Sequence, residues 1–100
     1  YGFSDIFSRE IEANAKQNDY LIGISTSGKS QNIIKAIKTS NSLGLPSTIF
    51  TGQSGGSLKS ITNCIKVPSS ETARIQECHI LIGHIVCKLV EQEMFKDDVI

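Results

Sequence analysis

The stretch YLIGISTSGKSQNIIKAI, Tyr20 to Ile37, decides the fold, because its hydrophobic pattern changes period twice within 18 residues. Tyr20 to Ile24 is a nearly continuous apolar run of strand length, the pattern of a strand covered on both faces. Ile33, Ile34 and Ile37 then fall on one helical face, with Lys35 and Lys38 elsewhere, and Gly44 with Pro46 signals a stop. Between strand and helix, Ser25, Thr26, Ser27 and Ser30 surround Gly28 with nothing hydrophobic among them. More hydroxyls stand here than a turn requires. A helix N-terminus offers unpaired amides and about half a positive charge, and hydroxyls add donors that rotate to fit each oxygen of an anion. Gly28 permits a close backbone approach or a positive φ. The G-x-x-x-x-G-K-[ST] spacing of a nucleotide loop is absent. A serine-rich turn with its N-cap at Ser27 or Ser30 is the plainer reading and a sugar-phosphate loop the sharper one; composition leaves both open.

Working outward, Ile6, Phe7, Ile11 and Ala15 predict a helix over residues 4–17, with Asp5 near its start. STIFTG, from Ser47, and CIKV, Cys64 to Val67, read as further strands, separated by a Gly/Ser loop with one helical turn around Leu58 to Ile61. A long helix is expected from Thr72 to Met94, about 35 Å at 1.5 Å per residue. Such alternation is that of a doubly wound, three-layer α/β sandwich, in which right-handed crossovers make the sheet parallel. Ligands of such sheets bind at the carboxyl ends of the strands, where Ser25 to Ser30 lies.

Bulk properties narrow the function. One hundred residues with equal numbers of acidic and basic side chains and 39% hydrophobic residues describe at most one ordinary domain. The zero net charge and the lack of a Lys/Arg cluster argue against nucleic acid as a partner. The apolar stretch CHILIGHIVCKLV is broken by His79, His84 and Lys88 and is too short to span a bilayer. Three cysteines without CxxC spacing argue against a disulfide framework or zinc knuckle and fit a reducing cytosol. The chain opens abruptly in structured-looking sequence, which is expected of part of a larger domain.

From Cys78 to Val90 the last helix is apolar nearly all round, so burial by its own domain and by a partner subunit is expected, with Cys78 and Cys87 as small core residues. A histidine on such a helix is more often a satisfied core residue than a ligand. His79 lies about 140° from His84, so the two cannot serve one site, and His79 is read as structural. Gln76 and His84 are separated by about 80° around the axis and about 12 Å along it. Both can face one broad cleft. They share one ion only if their side chains converge strongly or come from two chains, which is the basis for expecting a site at a subunit interface.

GISTSGKSQNIIKAI after an apolar strand resembles the phosphosugar-binding signature of the sugar isomerase (SIS) domain family. RIQECHILIGHIVCKLVEQE resembles the last helix of the family's phosphoheptose isomerase branch, and GFSDIFSREIEA is similar to that branch too. Nearly all of the chain is covered. The resemblance implies a SIS fold of which residues 1–100 are the C-terminal portion, with the N-terminal part missing. It implies phosphate binding by Ser25, Thr26, Ser27 and Ser30, metal contact by Gln76 and His84, substrate contact by Gln76 and proton transfer by His84. Zinc is the implied ion, its other ligands lying in the missing part with a glutamate base. The implied reaction converts sedoheptulose 7-phosphate to D-glycero-D-manno-heptose 7-phosphate through an enediol(ate), for bacterial lipopolysaccharide or capsule. A cytoplasmic homo-oligomer, a tetramer, is implied, and inactivity of the isolated chain. Ala73 stands where some relatives carry Asp, which puts one substrate contact in doubt. Two other readings remain: a non-catalytic SIS adaptor for the replication initiator, and another phosphosugar isomerase or sensor.

Overall fold

The computed structural model describes residues 2–96. A 3-10 turn, Phe3–Asp5, leads into α1, Ile6–Asn14; strand β1, Leu21–Ile24; α2, Gln31–Ser42; β2, Ser47–Thr51; a second 3-10 turn, Leu58–Ser60; β3, Asn63–Lys66; and α3, Thr72–Met94. The three strands form one parallel sheet in the order β1-β2-β3, with Gly23 opposite Ile49 and Ile49 opposite Cys64.

Alternation along β2 assigns the layers. Ile49 points to one face and packs with Ile37 of α2 and Leu58, all three fully buried, flanked by Leu21, Ile33, Ile34, Ile61 and Cys64. Gly23 is what lets α2 lie so close: a Cβ there would stand 2.9 Å from Ile49 Cδ1 and 3.2 Å from Ile33 Cγ2. Phe50 points to the opposite face, as successive strand residues must. Its ring lies 5.8 Å from that of His79 on α3. The order α2, sheet, α3 is thus the three-layer doubly wound arrangement, with α1 packed on α2.

Several expectations need correction. The first helix is shorter than residues 4–17, because the backbone leaves αR at Ala15 (ψ 141°) and Asp19 caps the Lys16 amide in a following turn. β1 is covered on one face only, Ile22 and Ile24 being 44% and 54% exposed. The reason lies in α3, of which only Ile75 and His79, within the first two turns, are buried. Beyond them the helix runs clear of the sheet, and Leu81, Ile85, Leu89 and Val90 are all about half or more exposed. Burial of α3 by the rest of this chain is therefore confined to one end. Cys87 is exposed rather than core, and Cys78 half-buried. The projecting helix also explains a radius of gyration of 14.7 Å, above the roughly 13 Å of a compact 100-residue domain.

Candidate functional site

At the carboxyl end of β1 the chain turns immediately. The Ser25 amide donates to the Phe50 carbonyl (3.0 Å), continuing the sheet by one bond, and the Gly28 amide donates back to both the carbonyl and Oγ of Ser25 (3.1 Å each). Gly28 has φ +69°, a conformation costly for other residues. It also lies against the loop after β2, where Gly55 and Gly56 likewise have positive φ. A Cβ on Gly28 would collide with the Gly55 carbonyl, and one on Gly56 with the Gly28 carbonyl. The Ser57 amide locks the two loops by donating 3.2 Å to Gly28 O. Both uses foreseen for Gly28 are present together.

The four hydroxyls divide into framework and surface. Ser25 is buried, and its Oγ pairs with Ser30 Oγ at 2.9 Å. Ser30 occupies the N-cap position of α2 but makes no side-chain cap bond. Its hydroxyl is turned to Ser25 instead, and the amides of Gln31 and Asn32, which have no intrahelical acceptor, are left open. Ser27 Oγ accepts from the Lys29 amide at 3.1 Å and is exposed. Thr26 is half-buried, and its carbonyl ties the loop to Gly52 (3.0 Å).

Thr26 and Ser27 line an open cleft of about 720 Å³ together with Gln53 and Ser54 from the loop after β2, and Ser69 and Thr72 from the approach to α3. Three strand ends thus converge on one concavity, the place where doubly wound sheets bind ligands. Sequence reasoning missed the contributions of Gln53, Ser54, Ser69 and Thr72. The signal was available: Gln53, Ser54 and Ser69 follow strands in polar loops and Thr72 opens the helix after one, and parallel strands bring such connections to one edge.

Neither Gln76 nor His84 lines that cleft, although Ile75 and Thr72, one residue and one turn before Gln76, do. Gln76 and His84 are exposed on α3, and His84 borders a groove with Cys87, Lys88 and Glu91. With Ile80 between them they occupy positions i, i+4 and i+8, one face of the helix. An exposed neutral imidazole is a sound zinc ligand and an amide oxygen a weaker one. No group of three or more His, Cys, Asp or Glu converges on an ion site among the described residues. The chain's donors therefore fit a metal only as contributors to a set completed elsewhere. His79, by contrast, is buried, with Nε2 donating to the Thr51 carbonyl at 2.9 Å and Nδ1 without a partner. This bond fastens the start of α3 to the end of β2.

The parallel sheet and the layer order are those of a doubly wound α/β domain of the SIS fold, with a polar cleft at its strand ends. The chain belongs to the phosphoheptose isomerase family of that fold. It is 50% identical over 98 residues to the phosphoheptose isomerase of Aneurinibacillus thermoaerophilus, covering 97% of this chain and 50% of that protein. With phosphoheptose isomerase 2 of Campylobacter jejuni it shares 48% identity over 96 residues, 95% of this chain and 48% of the relative. The solved structure of the Neisseria gonorrhoeae phosphoheptose isomerase matches with a TM-score of 0.85 at 38% identity, over 90% of this chain and 52% of that one. That of Francisella tularensis gives a TM-score of 0.87 at 40% identity, over 92% and 52%. The chain spans about half the length of the curated relatives it matches. No protein-family model matches it. Each of these relatives is named as an isomerase, which lends no support to the adaptor or sensor readings.

Proposed function

We propose that the protein containing this chain is a phosphoheptose isomerase, interconverting sedoheptulose 7-phosphate and D-glycero-D-manno-heptose 7-phosphate for a bacterial surface polysaccharide, and that residues 1–100 are the C-terminal part of its SIS domain. The observation that carries this reading is 50% identity to a protein of that name along 97% of the chain. The uncapped α2 N-terminus supports it, since its open amides suit a phosphate dianion.

In this reading Thr26, Ser27 and the amides of Gln31 and Asn32 receive the phosphate, while Ser25 and Ser30 hold the loop in shape. Anchoring contributes position rather than chemistry. The ketose–aldose step moves a proton between C1 and C2 through an enediol(ate) and needs a base, an acid and charge stabilisation. His84 is proposed as one proton-transfer group and Gln76 as a substrate contact. Each also contributes to a zinc site completed by residues beyond this chain, where the ion would polarise substrate oxygens.

α3 carries two unpartnered apolar stripes. Leu81, Ile85 and Leu89 form one, and Ile80, Val90 and Met94 form another centred about 180° away, all of them about half or more exposed. Two opposite stripes need two coverings, which supports a homo-oligomer with the remainder of the protein as the other cover; that the oligomer is a tetramer is proposed from the family resemblance. No helix among the described residues is long and apolar enough to cross a membrane. Three free cysteines fit the proposed cytoplasmic location.

The test is conversion of sedoheptulose 7-phosphate by the intact parent protein, before and after chelation and zinc restoration, beside His84→Ala. Zinc-restored turnover that falls by about a hundredfold or more in the variant, with KM changed little, is the expected result. Turnover unaffected by the substitution would remove His84 from the reaction, and absence of turnover in the wild type would overturn the isomerase reading.

A further inference from the structure

The cleft holds more positive charge than one phosphate uses. Lys29, Lys59 and Lys66 all line it, no Asp or Glu does, and none of the three forms an ion pair among the described residues. They divide by position. Lys29 belongs to the serine loop, beside the open amides of α2. Lys66 ends β3 and Lys59 lies in the 3-10 turn before it, and their aliphatic stems meet at Gly55. A Cβ placed on Gly55 would stand 3.1 Å from Lys66 Cε and 3.2 Å from Lys59 Cβ. Two ammonium-bearing side chains share one glycine-lined wall with no carboxylate to offset their charge. An anion on that wall offsets it.

We infer that Lys59 and Lys66 form a second anionic subsite on the wall of the cleft beside the serine loop, so that the site takes a sugar carrying two phosphates as well as one carrying one. The inference rests on the serine loop being the seat of the first phosphate. A phosphate brings nearly two negative charges near pH 7. Lys29 and the α2 amides meet that demand at the loop, leaving Lys59 and Lys66 for a second group. The cleft, about 720 Å³, falls in the usual range for small-molecule sites.

The experiment is calorimetric titration of the intact parent protein with sedoheptulose 7-phosphate and with sedoheptulose 1,7-bisphosphate, in the wild type and in the double variant Lys59→Gln/Lys66→Gln. In the wild type the bisphosphate is expected to bind about tenfold tighter than the monophosphate, a gain of about 1.4 kcal/mol. In the variant that advantage disappears while monophosphate affinity stays within about twofold. Both lysines are exposed, so the variant should fold, and an unchanged melting temperature confirms it. Equal wild-type affinity for the two sugars would overturn the second subsite alone. Equal loss of both ligands in the variant would overturn it too, by assigning the lysines to the first phosphate. Failure of the wild type to bind either sugar would overturn the serine-loop reading and this inference with it.

Discussion

Ser25 and Ser30 show how one hydroxyl pair decides what a loop is for. Ser30 stands where an N-cap serine ordinarily closes a helix, yet its Oγ lies 2.9 Å from Ser25 Oγ and caps nothing. Replacing Ser25 by Ala frees Ser30 to turn toward the amides of α2, where it competes with an incoming anion. The expected outcome is several-fold weaker phosphate binding by titration calorimetry, at a stability cost of about 1 kcal/mol for the lost bonds. Unchanged affinity would show that the α2 amides are not the anion's donors. Gly28→Ala is a harsher change, since φ +69° and the Gly55 carbonyl both oppose a Cβ. A loss of about 1–3 kcal/mol in urea unfolding is expected, together with loss of phosphate binding. Identical unfolding midpoints would mean that the two glycine loops part easily. Gly28 itself was legible in the sequence, because a glycine amid hydroxyls at a strand-to-helix turn has few other uses. Its partner loop was not: nothing in a linear pattern says that Gly55 and Gly56 meet Gly28.

At the scale of elements, local signals and packing carried different weights. α3 runs over Thr72–Met94, the range expected of it, and the 3-10 turn Leu58–Ser60 falls where one helical turn is expected. β2 and β3 lie within a residue or so of their expected ends. The register of α1 depended on tertiary contacts instead. Its entry is fastened by Lys35 of α2, whose Nζ donates 2.9 Å to Asp5 and 3.0 Å to Ser4 Oγ. The Lys35 hydrogen bond, followed by that from the Gly2 amide, holds the Asp5 carboxyl below its ordinary value of 3.8. A carboxylate with a lowered folded pKa stabilises the fold above its unfolded pKa, and that contribution is lost as pH falls through the lower folded value. Thermal melts of the chain should therefore lose a small increment of stability below about pH 4 that Asp5→Asn lacks throughout. Parallel curves for the two proteins down to pH 2 would remove the α1–α2 ion pair from the account.

For the whole molecule, the apolar character of α3 was legible, but which partner covers it was not, because periodicity reports burial without saying by what. The same limit applied to β1, whose apolar run predicts two covered faces although Ile22 and Ile24 are open in this chain. Gln76 and His84 were identifiable as polar interruptions of an apolar helix, and how they sit relative to the serine cleft, lined by Ile75 and Thr72 but by neither of them, needed the sheet and helix to be placed together. A protein of this family is proposed to complete its site by assembly, and Leu89 offers a direct test. It is 59% exposed, so Leu89→Glu costs the chain's own packing little. Where a second copy's helix lies on the Leu81, Ile85 and Leu89 stripe, the substitution buries an unpaired carboxylate and weakens association by several kcal/mol. Sedimentation velocity of the intact protein should then show a smaller species for Leu89→Glu than for the wild type at equal concentration. The Ile80, Val90 and Met94 stripe gives the contrast. If the remainder of the protein covers it, Val90→Glu should lower the melting temperature of the subunit instead of changing its association. A Leu89→Glu protein that sediments as the wild type does would place the subunit contact away from this face of α3.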